Sequence, residues 1–87
     1  MGALENELNL GPTSAGWLRE IGVTTLDELR EMGAVTAYCL AKARHEQASL
    51  NLLYALHGAL TGQKWNALSP ETKAQLQKEA AGFRFGE

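Results

Sequence analysis

The sequence predicts an all-α domain of five to six helices, and three observations carry that prediction. Ala, Leu, Glu, Lys and Gln fill most segments, while β-branched residues are few. Apolar residues recur three and four positions apart, the period of one helix face. Helix start and stop signals also alternate along the chain. Pro12, Thr25, Ser49 and Ser69-Pro70 open segments, and Gly22, Gly33, Gly62 and Gly82 close them.

The first helix is expected from about Gly2 to Leu8, with Leu4 and Leu8 on one face. Asn9-Leu10-Gly11 reads as a tight turn. Pro12 then falls in the first turn of a second helix, where its missing N–H costs little. That helix runs to about Glu20, with Ser14, Trp17, Leu18 and Ile21 forming an i, i+3, i+4, i+7 stripe. Gly22 is its left-handed terminator. Residues 2–22 thus form a helix-hairpin-helix-like motif.

The third helix opens at Thr25 with a capping box, in which the Thr25 hydroxyl and the Glu28 carboxylate each reach the other's backbone N–H. Asp27 and Glu28 suit the positive end of the helix dipole. Gly33 ends it, and a fourth helix is expected over Ala34–Arg44, with Lys42 and Arg44 at its negative end. His45-Glu46-Gln47-Ala48 reads as a polar connection. The fifth helix, over residues 49–61 with Ser49 as its N-cap, is apolar almost all round, from Leu50 through Leu60. That pattern marks the central helix. A connector follows, with one helical turn around Trp65, and Ser69-Pro70-Glu71 opens a last helix over residues 70–81. Phe83 to Glu87 form a tail whose two Phe rings either dock on the body or stay mobile.

Eighty-seven residues allow one domain, residues 1–87. A chain of this size buries only roughly 60–65 % of its unfolded surface, so its core is small. Cys39 is the single cysteine, which excludes an intrachain disulfide or a thiolate metal cluster and reads as a small buried apolar residue. His45 and His57 lie without carboxylate or thiol at ligand spacing, so no metal site is expected. Ser14, Ser49 and Ser69 have capping or helix-start explanations, and no nucleophile elbow, phosphate-binding loop or dinucleotide fingerprint is present. The chain is therefore expected to be no enzyme, with no catalytic residues and no cofactor. It has no signal peptide and no apolar run of membrane length, so no membrane contact and a cytoplasmic location are expected.

The turn before Pro12 is the one constellation that could carry binding. Exposed backbone N–H groups at a helix N-terminus and the helix dipole attract a phosphate. Hairpins of this kind usually read Gly-x-Gly followed by a cation. Here Asn9 fills the first glycine position, Gly11 the second, and Thr13 stands where Lys or Arg is usual. The neighbourhood is acidic: between residues 9 and 33, Arg19 and Arg30 face Glu20, Asp27, Glu28 and Glu31. The net charge of −2 denies the chain a general positive field. Lys42, Arg44 and Lys64 either converge near the ends of the fourth and fifth helices or are solvated faces and dipole complements. Trp17 reads as core. Trp65 reads as an anchor for its connector or, if exposed, as a partner-binding hot spot. The candidate phosphate or partner contacts are thus Asn9, Gly11, Thr13, Lys42, Arg44, Lys64 and Trp65.

The hairpin run Leu8 to Leu18, the segments Ile21–Arg30 and Gly33–Tyr38, and above all Ser49-Leu50-Asn51-Leu52-Leu53-Tyr54-Ala55-Leu56-His57-Gly58-Ala59-Leu60-Thr61-Gly62 with Trp65-Asn66-Ala67-Leu68 resemble the C-terminal domain of the TfoX/Sxy family. The resemblance covers about residues 6–80. It implies a small helical domain related to helix-hairpin-helix folds in a bacterial regulator of competence and DNA transformation. It also implies a protein partner, the transcription machinery or the cyclic-AMP receptor protein. Members commonly carry an N-terminal α/β domain ahead of this one, which these residues do not contain. The chain is therefore a stand-alone homologue or a domain of a longer protein. The resemblance brings no catalytic residues. The expected function is a regulatory module working through protein contacts. The alternative is a weak DNA-binding helix-hairpin-helix that uses hairpin backbone amides, and a homodimer remains open.

Overall fold

The computed structural model describes residues 10–83. The helix expected over Gly2–Leu8, the turn residue Asn9 and the tail residue Phe85 lie outside the described residues. Among the described residues there are five α-helices, one 3-10 turn and no strand. In chain order they are α1 (Pro12–Glu20), α2 (Leu26–Met32), α3 (Ala34–Arg44), α4 (Leu50–Thr61), the 3-10 turn (Trp65–Ala67) and α5 (Pro70–Ala81).

The helix boundaries follow local chemistry. Thr25 and Glu28 form the full capping box at the start of α2: the Thr25 hydroxyl accepts from the Glu28 backbone N–H, and the Glu28 carboxylate accepts from the Thr25 backbone N–H. Ser49 caps α4 by accepting from the Asn51 N–H. Ser69 caps α5 by accepting from the Thr72 N–H, with Pro70 in the first turn.

Gly33 joins two helices without a linker. Its N–H donates to the Leu29 carbonyl, and its own carbonyl accepts from Ala37. At φ 93° and ψ 147° it occupies a region closed to residues with a Cβ, although a Cβ there would meet nothing within 4 Å. One helix must end and the next begin within one residue here, and only glycine adopts this backbone conformation without strain.

The five consecutive residues Leu52 to Leu56 of α4 are all buried, as are Gly58 and Ala59. A helix turns 100° per residue, so five buried neighbours leave no solvent face along that stretch. The cover comes from α2, α3, α5 and the 3-10 turn. In turn α3 receives α1, α2 and α5, burying Ala37, Tyr38 and Ala41. Small side chains on α3 allow the close approach. Leu18, Val23, Leu29, Leu53 and Leu56 are the largest fully buried side chains. The Tyr54 ring is buried, and its hydroxyl accepts from Gln77 of α5 at 2.6 Å. Lys73 lies 5.4 Å from the centre of the same ring. Cys39 is a free, buried thiol, as expected for a small apolar residue.

Gly33→Ala should destabilise the domain by about 1–3 kcal/mol in urea unfolding, since the strain of this backbone region is then unavoidable. Gly11→Ala should change stability by less than about 0.5 kcal/mol. Gly11 lies at φ −116° in extended backbone with open space at its Cβ position.

Candidate interaction surface

The N-terminus of α1 and the N-terminus of α4 open onto one groove of about 280 Å³. Thr13, Ser14 and Trp17 come from α1, Ser49 and Asn51 from the start of α4, and Trp65 from the 3-10 turn. The fold therefore brings Thr13 and Trp65 together, two of the residues singled out in the sequence. No charged side chain is among the described residues that line the groove.

Trp65 is 42 % exposed and, with Leu50, is one of two large apolar side chains exposed among the described residues. The connector is anchored by Leu68, which is 6 % exposed and joins the core. Trp65 on the same connector presents part of its indole at the groove. Gly11 precedes α1 in extended conformation and gives it no side-chain cap. Among the described residues, no N-cap side chain therefore accepts from the first-turn N–H groups of α1.

Two of the basic candidates are held by the fold. The Lys42 ammonium donates to the Ala48 carbonyl at 2.8 Å and to the Glu46 carbonyl at 3.3 Å, closing the α3–α4 loop. The Arg44 guanidinium donates to Glu20 at 3.1 Å. Lys42 lines a different groove, between α3 and α5. Lys64 is exposed and precedes the 3-10 turn, where its carbonyl accepts from Ala67.

Sequence reasoning missed His45, which it placed in a polar connection. The imidazole stacks on the Trp17 indole at 4.7 Å between ring centres and 17° between planes. Its Nε2 lies 3.1 and 3.2 Å from the two Glu20 carboxylate oxygens. Glu20 thus receives both Arg44 and His45 and fastens α1 to the end of α3. The Arg44 hydrogen bond, followed by the contacts from His45, holds the Glu20 carboxyl below its ordinary value near 4.5, against some loss of hydration. Nothing local in the sequence signals this cluster, because its partners lie 24 and 25 positions apart. His57 is half-buried on α4 and lines a cleft with Glu71 and Glu79 of α5. No group of three or more metal-ligating side chains occurs among the described residues. No helix among them is long and apolar enough to cross a membrane.

This geometry defines a class: a small all-α module with a Trp-bearing groove whose described lining is uncharged. The chain belongs to the TfoX C-terminal domain family, whose sequence profile matches residues 2–80. It is similar to a crystal structure of an uncharacterized protein from Listeria monocytogenes in a triclinic form. That pair is 28 % identical with a TM-score of 0.83, covering 88 % of each chain. It is also similar to a protein of unknown function from the same organism in a tetragonal form. There the identity is 28 % and the TM-score 0.81, covering 90 % of this chain and 96 % of that one. No curated protein matches it.

A folded-state carboxyl below its unfolded value stabilises the fold above the ordinary carboxylate range, and that stabilisation is lost as pH falls through the lowered value. Glu20→Gln should therefore lower Tm at pH 7 by a few degrees at most, since the site is exposed. The difference from the parent should close between about pH 5 and pH 3. Thermal unfolding across that range measures it.

Proposed function

We propose that this domain is a non-enzymatic regulatory module of the TfoX/Sxy type. On this reading it acts in the bacterial cytoplasm on competence and DNA-transformation genes through protein partners, the transcription machinery or the cyclic-AMP receptor protein. The observation that carries the protein-contact reading is the groove itself. Its described lining is aromatic, apolar and uncharged polar, with a part-exposed Trp65 beside it. Trp is among the residues most enriched at protein-binding hot spots, and charged residues are depleted at interface cores. Phosphate recognition needs cations, and two of the three basic candidates are engaged elsewhere: Arg44 with Glu20, and Lys42 with loop carbonyls.

The second reading, weak DNA binding through the hairpin, keeps one supporting observation. The first turn of α1 has no side-chain cap, so the N–H groups of Thr13 and Ser14 could meet a phosphate oxygen. The acidic balance of the chain opposes it.

Titration with duplex DNA separates the two readings. At physiological salt, binding should be weaker than about 10⁻⁴ M, the weak edge of non-specific affinity. Trp65→Ala should lower capture of the native partner about tenfold or more while leaving the helical content unchanged. Micromolar DNA binding that falls steeply with salt and disappears in Thr13→Glu would contradict the protein-partner reading.

A further inference from the structure

A cleft of about 560 Å³ opens between α5, the start of α3 and the C-terminal half of α4. Val35, Leu60 and Leu76 give it an apolar lining: Leu76 joins the core, and Val35 and Leu60 are half-buried against it. Glu71 and Glu79 of α5 also line it, and both are exposed. No Lys or Arg is among the described lining residues. Neither carboxylate has an ion-pair partner among the described residues, and Glu79 accepts only a hydrogen bond from Gln75 at 2.7 Å. The start of α3 opposes this charge weakly, since a helix N-terminus carries about half a positive charge against two full negative ones.

These features select the occupant. The carboxylates repel nucleic acid and other anions. The apolar lining gives nothing to a bare cation, and no metal-binding cluster occurs among the described residues. The cleft is matched by a ligand with an apolar face between two positive charges. The walls of the cleft are helices, and no strand among the described residues offers an edge to an extended chain. A helical ligand needs no such edge, because its backbone groups bond within itself. Glu71 and Glu79 stand eight positions apart, about 12 Å along α5 at 1.5 Å per residue. On a docked helix, residues i and i+7 share a face at about 10.5 Å, and i+3 and i+4 fall between them.

We propose that this cleft docks a basic amphipathic helix of a partner protein. Its apolar face covers Val35, Leu60 and Leu76, and a Lys or Arg at i and i+7 meets Glu71 and Glu79. The surface shares no described residue with the Trp65 groove, so it stands or falls apart from the function proposed for that groove.

The probe is a fluorescent synthetic helical peptide with Lys at i and i+7 and Leu at i+3 and i+4, followed by anisotropy. It should bind saturably with a Kd below about 1 mM, and more weakly as salt rises. Glu71→Gln combined with Glu79→Gln should weaken binding about fivefold, the sum expected of two exposed ion pairs, with helical content unchanged. Trp65→Ala and Lys73→Gln should bind like the parent. Exchanging the peptide's Lys for Glu, or its Leu for Ser, should abolish binding without any change to the protein. Equal binding of the Glu peptide, or of the Ser peptide, overturns the proposal, as does full affinity in the doubly substituted protein. Absence of binding to the parent at about 1 mM also overturns it. A parent dimer that dissociates on the double substitution does so too, because the cover is then a second copy of this chain.

Discussion

The rest of this domain depends on the absence of a solvent face on α4. Leu52 to Leu56 cannot all be buried by one neighbour. They require cover from several directions, and α2, α3, α5 and the 3-10 turn each supply part of it. Hydrophobic burial of this kind is worth about 1.5–3 kcal/mol for each large side chain, the dominant favourable term in so small a core. Long loops would leave gaps in the cover. The chain instead uses Gly33 to turn from α2 into α3 at one residue, and Leu68 to press the connector down. The start of α4 thereby comes to lie beside α1, and the Trp65 groove is built at that junction.

A polar clasp finishes what packing begins. The α3–α4 loop is held from within by Lys42, which bonds its carbonyls, and from outside by Glu20 of α1, which bonds Arg44 and His45. The Trp17–His45 stack adds an aromatic contact over the same loop. Each contact is modest because the groups are partly exposed. Together they fix the position of α1 relative to α4, and hence the shape of the groove. The same contacts engage Lys42 and Arg44, two of the three basic candidates for a phosphate site. The groove is bordered by these charged groups, and no charged side chain is among the described residues that line it.

The helices were legible in the sequence because their signals are local. A capping box, a Ser-Pro start and an all-apolar run each act within a few residues, and α1 to α5 begin and end where those signals stand. The candidate surface was legible only as residue types. Thr13 and Trp65 stood out, yet nothing local placed them in one groove. Glu20 and His45 were unreadable for the same reason: a carboxylate on one helix and an imidazole in a distant loop meet only once α1 has docked. Ala48 seemed part of a polar connection but is 2 % exposed, since the Lys42 bonds fold that loop inward. Leu68 lay in a short irregular segment where periodicity carries no information.

Native-state hydrogen exchange tests the central role of α4 most directly. The backbone amides of Leu53, Leu56 and Ala59 should exchange only through global unfolding, with a urea dependence equal to that of the whole domain. The amides of α1 and α5 should open at lower free energy. Exchange from α4 that is as fast as from α5, or that ignores urea, would contradict the account that α4 organises the fold and the Trp65 groove.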